Sequence, residues 1–167
     1  MRALTNRVLI SIYRLGRVES MLENGRHSFT YNTTWDGGRN EVGYITCGNL
    51  QTAVSIPKEM NGPGIGTNPD ELLLSAAATC YLISLATMLD LSKVTAHLTL
   101  KSEGIVEVEK MTLTYKEIIH HVEIALKEKS EKHIRLANRL AIKAEQTCMI
   151  SKALKGNVNV TVNCTIT

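Results

Sequence analysis

The sequence predicts an α+β domain in which an antiparallel sheet wraps around one buried central helix. Segments of alternating β-forming residues lie on both sides of an uncharged apolar stretch, Leu72 to Leu89. A helix that is apolar on every side needs cover from all directions, either from the sheet or from another subunit. The chain has 167 residues, 44% of them hydrophobic and 21% charged, so it can bury a core and is not an intrinsically disordered protein.

The first predicted strands lie between residues 26 and 56. The segments FTYNTTW and VGYITC flank the DGGRN turn, a pattern that is typical of a hairpin. A third segment, TAVSI, predicts a strand that ends at Pro57. The segment KEMNGPGIGTNP follows, and its three glycines and two prolines predict a loop.

The central helix has a recognisable beginning. Asn68 can cap it, Pro69 suits its first turn, and the two acidic residues that follow suit the positive end of its dipole. Its length would also suit a membrane span. We reject that interpretation because polar side chains are spread through the helix and the sequence has no second segment of this kind. These side chains are Ser75, Thr79, Ser84 and Thr87.

The second half of the chain continues with strands and helices. Residues 94–115 alternate, the segment HHVEIALK predicts another strand, and VNVTVNCTIT predicts the last one. Residues 131–147 carry an apolar stripe at steps of three and four, which indicates an amphipathic helix. The segment MISKALKG predicts a short helix that ends at Gly156. No repeat or linker divides residues 21–167, which we therefore expect to form one domain.

The net charge of +3 comes from the first twenty residues. They contain four arginines and one glutamate, whereas residues 21–167 contain 15 basic and 15 acidic side chains. A neutral body argues against a protein whose main role is to bind nucleic-acid phosphates. The apolar part of residues 1–20 is too short for a secretion signal. We predict that this N-terminal extension is either poorly ordered or not part of the native protein.

Four cysteines, Cys47, Cys80, Cys148 and Cys164, are the candidate reactive groups. They are too few for a disulfide-rich secreted scaffold, and no CxxC or histidine spacing is typical of a zinc site. A role as a small buried hydrophobic residue is open for each of them. A buried thiol needs a nearby cation to react, because apolar surroundings raise its pKa. Arg39 in the DGGRN turn is the best candidate for that cation, although an exposed hairpin tip is an alternative.

Several segments resemble the OsmC/Ohr family of thiol-dependent peroxidases. The segment GTNPDELLLSAAATCYLISL resembles the family's signature loop and the helix that carries its reactive cysteine. The segment TCMISKAL resembles the second-cysteine motif, and DGGRN and VSIPKEMNG resemble segments of the Ohr branch. The resemblance implies an OsmC-like intertwined homodimer with its active sites at the subunit interface.

The resemblance also implies roles for particular residues. Cys80 would attack an organic hydroperoxide, which releases an alcohol and leaves a sulfenic acid. Cys148 would convert this to a disulfide, and an external dithiol, typically a lipoyl group on a carrier protein, would reduce it. Arg39 would lower the pKa of Cys80, and a carboxylate would hold the arginine. The family has glutamate where this chain has Asp70, so Glu71 is the alternative anchor.

Helix geometry limits how these groups can meet. Asp70 lies about 15 Å along the helix axis from Cys80, so long-range folding or a partner subunit must complete the site. Together with the charge and the cysteine spacing, the resemblance leads us to expect a cytoplasmic enzyme with no bound cofactor or metal and no nucleic-acid or membrane partner. Two alternatives keep the fold: a redox sensor or thiol enzyme of other specificity, and a non-catalytic module that binds apolar ligands.

Overall fold

A computed structural model describes residues 25–167 of the chain. The predicted extension over residues 1–20 lies outside the described residues. The described strands form two three-stranded sheets, each in the order of the chain. The first sheet contains β1 (Tyr31–Thr34), β2 (Gly43–Cys47) and β3 (Leu50–Val54), and the second contains β4 (Ala96–Glu109), β5 (Thr112–Leu126) and β6 (Asn159–Ile166).

Three α-helices complete the described part of the chain. They are α1 (Pro69–Leu91), α2 (Glu131–Thr147) and α3 (Met149–Leu154). A short 3₁₀ turn over Lys58–Met60 lies in the predicted loop before α1. The predicted α+β class, with sheet packed on a central helix, is confirmed.

The predicted cap of α1 is present. The Asn68 side chain accepts a hydrogen bond from the Glu71 main-chain N–H at 2.9 Å, and Pro69 occupies the first turn. The helix ends before Lys93, which has a φ of 59°, and the Val94 N–H donates back to the Leu89 carbonyl at 2.9 Å. Both ends of the helix are therefore fixed by local hydrogen bonds, which sets the position of every side chain along it.

One face of α1 forms the centre of the hydrophobic core. The residues of α1 that are buried lie at steps of four, and they pack against an apolar face of α2 and the inner faces of β4 and β5. The core side chains from α1 are Ala77, Tyr81, Leu85 and Leu89, and those from α2 are Ala137, Leu140, Ala141 and Ala144.

The rest of the α1 surface is exposed or half-buried within one chain. Only 22% of its most apolar stretch is buried, and that stretch has a mean hydropathy of 1.9. Ile83 is 61% exposed and Leu91 is 52% exposed. Within residues 25–167, α1 is the one helix that is long and apolar enough to cross a membrane, by length and composition only. The sequence prediction of a buried helix therefore holds on one face, and the other face is exposed in the single chain.

The strand pairing differs from the sequence prediction in two details. The chain does not form one wholly antiparallel sheet, because β6 pairs with β5 in parallel. This direction follows from the crossover through α2 and α3, which returns the chain to the same end of the sheet. The sharp turn between β4 and β5 lies at Lys110 and Met111, both with positive φ. Neither residue is a typical turn residue, so the sequence showed no break there.

Replacing Leu85 by alanine tests the assignment of the core. The side chain is fully buried, so Leu85→Ala should lower the free energy of unfolding by about 2–5 kcal/mol. Tyr81→Phe, on the same face, is the control. It removes a buried hydroxyl that has no hydrogen-bond partner among the described residues, so it should cost little. Urea denaturation measures both, and a smaller loss for Leu85→Ala than for Tyr81→Phe would contradict this packing.

Candidate active site

Cys80 and Cys148 meet where the three helices join. Cys80 lies in the middle of α1, and Cys148 is the residue between the end of α2 and the start of α3. Their sulfur atoms are 2.7 Å apart, and the Cys148 thiol donates to Cys80. Both cysteines are free thiols. Two sulfurs at this separation can form a disulfide with only a small movement of the side chains, since the bond itself is about 2.05 Å long.

The two thiols differ in acidity. Burial raises the pKa of Cys80, but the hydrogen bonds that it accepts outweigh burial and hold this pKa below its usual value. The donors are the Cys148 thiol, the main-chain N–H groups of Ile150 and Met149, and the Ser84 hydroxyl. The pKa of Cys148 is raised, first by burial and then by its hydrogen bond to Cys80. The arrangement therefore favours a Cys80 thiolate next to a protonated Cys148.

The more acidic thiol, Cys80, is also the more accessible one. Cys148 is fully buried, whereas the Cys80 side chain is partly open to solvent. The Cys148 sulfur also accepts a hydrogen bond from the Ser151 N–H at 3.5 Å, which places it at the beginning of α3. An incoming molecule would reach Cys80 first, with Cys148 behind it.

Arg39 does not lie against the thiol pair within one chain. Its guanidinium donates to the main-chain carbonyls of Met60 at 2.7 Å and Asn61 at 3.4 Å. No cation contributes to the lowered pKa of Cys80 among the described residues. Arg39 is exposed in the turn between β1 and β2, as the alternative prediction had it, and these contacts hold its side chain on the loop before α1. Within the described part of one chain, Arg39 is therefore not placed to lower the pKa of Cys80, as the sequence had predicted.

The two candidate carboxylates lie at the start of α1. Glu71 accepts a hydrogen bond from the Thr67 hydroxyl at 2.8 Å. Asp70 accepts through its main-chain carbonyl from Tyr115 at 3.5 Å, and its carboxylate forms no hydrogen bond or ion pair within residues 25–167. Neither carboxylate forms an ion pair with Arg39 in the described part of the chain. The predicted arginine–carboxylate pair is therefore absent from the single subunit.

Sequence reasoning did not assign Ser84 and the first N–H groups of α3 to the site. Ser84 lies four residues after Cys80 on α1, so helical spacing alone placed it on the same face. The amides of Met149 and Ile150 had no such signal, because their direction depends on how α3 is packed against α1.

The other two cysteines lie away from the pair. Cys47 is half-buried on β2, and Cys164 is half-buried on β6, where burial raises its pKa. Among residues 25–167, no three His, Cys, Asp or Glu side chains are placed to hold a metal ion.

Sequence comparisons connect this geometry to a family. The model of the family described as OsmC-like protein matches residues 62–163. The uncharacterized protein YmaD of Bacillus subtilis (strain 168) is 51% identical over 142 residues, which are 84% of this chain and 95% of YmaD.

Solved structures show the same fold. An OsmC-like protein of unknown function from Vibrio cholerae has a TM-score of 0.72 at 12% identity, over 84% of this chain and all of that one. An organic hydroperoxide resistance protein OsmC from Legionella pneumophila has a TM-score of 0.68 at 23% identity, over 85% and 99%. The organic hydroperoxide resistance protein OhrB of Bacillus subtilis has a TM-score of 0.61 at 20% identity, over 83% and 98%. Since the family model spans more than half of the sequence and YmaD is similar over almost its full length, this chain belongs to the OsmC/Ohr family.

Proposed function

We propose that this protein is a thiol-dependent peroxidase that reduces organic hydroperoxides to alcohols. One observation carries the proposal: two thiols of unequal acidity lie with their sulfur atoms 2.7 Å apart, the more acidic one partly open to solvent. A pair that served only as buried hydrophobic residues would need no hydrogen-bond donors directed at one of the sulfurs. Four donors around Cys80 stabilise the thiolate that a nucleophilic attack requires.

The reaction follows from the roles of the two sulfurs. The Cys80 thiolate attacks the terminal peroxide oxygen, the O–O bond breaks, and the alkoxide leaves as an alcohol after it takes up a proton. Cys80 is then a sulfenic acid. The Cys148 sulfur attacks the Cys80 sulfur, the S–O bond breaks and water leaves, so that the product is a disulfide. An external dithiol returns the pair to two thiols.

Two observations support an organic substrate over hydrogen peroxide. Met149, next to Cys148, is 69% exposed, and Ile83 on α1 is 61% exposed, so apolar side chains lie open near the thiols. The solved relatives from Legionella and Bacillus are named as organic hydroperoxide resistance proteins. An apolar hydroperoxide would gain from burying its carbon chain against these side chains.

Oxidation of the reduced protein tests the proposed activity. Stoichiometric cumene hydroperoxide should consume two thiols per chain rapidly, because Cys80 and Cys148 close a disulfide without rearrangement of the helices. Cys148→Ser should stop at a Cys80 sulfenic acid that dimedone traps, and mass spectrometry would identify it. Cys47→Ser and Cys164→Ser are the controls and should leave the rate unchanged. Equally slow reaction with organic and hydrogen peroxides would instead support a sensor or a thiol enzyme of other specificity.

A matched pair of substitutions at Cys148 tests the hydrogen bond to Cys80. Cys148→Ser keeps a hydroxyl that can donate to Cys80, whereas Cys148→Ala removes the donor. The pKa of Cys80 is lowered in part by this donor, so its loss should raise the pKa. The pH profile of Cys80 alkylation by iodoacetamide should therefore lie at higher pH in Cys148→Ala than in Cys148→Ser. Identical profiles would show that the donor does not stabilise the thiolate.

We further propose that a second subunit completes the site. Within one chain the thiolate lacks a cation, Arg39 is fixed on a distant loop, and the Asp70 carboxylate forms no hydrogen bond or ion pair in the described residues. Apolar side chains of α1 are exposed, and the first sheet makes few contacts with the helices. A second copy of the chain would therefore have a large apolar surface to cover. A homodimer would bring Arg39 of one subunit to Cys80 of the other, with Asp70 favoured over Glu71 as its anchor.

Mixing two inactive variants tests this arrangement. Arg39→Ala should slow oxidation of Cys80 on the order of 100-fold, because it removes the cation that stabilises the developing charge. Cys80→Ser is inactive. Chains co-refolded from equal amounts of both should recover about one quarter of the wild-type rate if the arginine acts across the dimer, since half the dimers carry one intact site.

Two outcomes would contradict this proposal. If dimers that contain one chain of each variant showed no recovery of activity, Arg39 and Cys80 of the same subunit would have to act together. A solution mass equal to the 18.4 kDa of one chain, measured by light scattering, would exclude the dimer itself.

A further inference from the structure

Met149 lies directly beside the thiol pair. It follows Cys148 as the first residue of α3, and its main-chain N–H donates to the Cys80 sulfur. Its side chain does not join the core and is 69% exposed. The thioether is therefore held in solvent, only the length of one side chain from the contact between its own main chain and Cys80.

The other methionines of the described residues are placed differently. Met88 packs against the core, and Met60 is half-buried in the loop before α1. Met111 is 95% exposed in the turn between β4 and β5. Among residues 25–167, Met111 and Met149 are thus the two methionines with an exposed side chain, and Met111 is the more exposed of the two.

The turn that carries Met111 is remote from the thiols. The hydroxyl of Tyr115, on the strand that leaves this turn, donates to the Asp70 carbonyl at 3.5 Å. Asp70 lies in the first turn of α1, about 15 Å along the helix axis from Cys80. The chain therefore offers two exposed methionines for comparison, one beside the reactive sulfurs and one far from them.

A thioether beside a peroxide-reducing site meets the substrate of the enzyme as an oxidant. Hydroperoxides convert methionine to its sulfoxide. The Cys80 thiolate is the stronger nucleophile and reacts first while it is reduced. Once Cys80 and Cys148 form a disulfide, the thioether of Met149 remains as a reduced sulfur next to the pair. A hydroperoxide held there by its carbon chain has a raised local concentration at Met149, and it has none at Met111.

We propose that Met149 is an oxidation site whose sulfoxide slows the reaction of the enzyme with apolar hydroperoxides. This inference rests on the proposed function, which brings a hydroperoxide to the thiol pair. The Met149 sulfur attacks the terminal peroxide oxygen, the O–O bond breaks, and that oxygen stays on the sulfur as a sulfoxide. The proton of the terminal oxygen passes to the alkoxide, which leaves as an alcohol. The sulfur loses two electrons and the peroxide gains them.

The sulfoxide changes the surface that an apolar substrate meets beside Cys80. A methionine side chain is flexible and apolar, so it adapts to ligands of different shape. Its sulfoxide is polar, so an organic hydroperoxide gains less free energy from burying its carbon chain there. Hydrogen peroxide has no carbon chain and loses nothing. An excess of organic hydroperoxide would thus reduce its own turnover, and a methionine sulfoxide reductase would reverse the change.

Competition between the two exposed methionines tests the site. The reduced protein is treated with a graded excess of cumene hydroperoxide, and mass spectrometry of a digest follows the free thiols and the sulfoxides at Met149 and Met111. Met149 should be oxidised about tenfold faster than Met111, although its side chain is less exposed. With hydrogen peroxide this difference should shrink. Oxidation of Met111 by cumene hydroperoxide as fast as that of Met149 would overturn the assignment.

A matched pair of substitutions tests the consequence of the oxidation. Met149→Gln has a polar amide in place of the sulfoxide, whereas Met149→Leu keeps an apolar side chain. Oxidation of Cys80 in Met149→Gln should slow about fivefold with cumene hydroperoxide and much less with hydrogen peroxide. Met149→Leu should stay closer to the wild-type rate with cumene hydroperoxide. Both variants keep the main-chain N–H that donates to Cys80, so the pH profile of Cys80 alkylation should not move.

Met111→Gln is the control, because it makes the same change at the remote turn, and it should leave every rate unchanged. Equal slowing of both peroxides by Met149→Gln, or equal slowing by Met149→Gln and Met149→Leu, would show that the polarity of this side chain does not act on the substrate and would overturn the proposal. Thiols that cumene hydroperoxide leaves intact would refute the proposed peroxidase, and the comparison of Met149 with Met111 would remain readable in the same digest.

Discussion

The contact between the Cys80 and Cys148 sulfur atoms depends on how three helices meet. α1 supplies Cys80 from its middle, and the junction of α2 with α3 supplies Cys148. The same packing directs the first N–H groups of α3 toward Cys80. A shift of α3 along α1 would separate the sulfurs and withdraw these donors together. Proximity and acidity of the thiols are thus two results of one packing arrangement, held in place by the small residues of the α1–α2 interface.

The unequal environments of the two sulfurs give the pair a direction. Cys80 is partly open and accepts hydrogen bonds, whereas Cys148 is buried and donates one. The first property suits an attacking thiolate. The second keeps Cys148 protonated and close until the first sulfur has been oxidised.

Much of the fold could be predicted from the sequence, since the signals for its helices are local. The cap at Asn68, the uncharged α1 and the stripe of α2 each depend on residues a few positions apart, and the structure has all three. The parallel pairing of β6 and the turn at Lys110 depend on long-range packing, and no local pattern marked them. The thiol pair was inferred from a family resemblance, because 68 residues separate the two cysteines and no spacing rule joins them.

The residues that the single chain does not bring together form a consistent set. Arg39 is held by main-chain carbonyls, which neutralise none of its charge, and the Asp70 carboxylate forms no hydrogen bond or ion pair in residues 25–167. The part of α1 that does not join the core is apolar and exposed. The exposed apolar face is costly for an isolated subunit, since such a surface favours association. A symmetric partner would cover this face and would place the arginine of each subunit beside the thiol of the other.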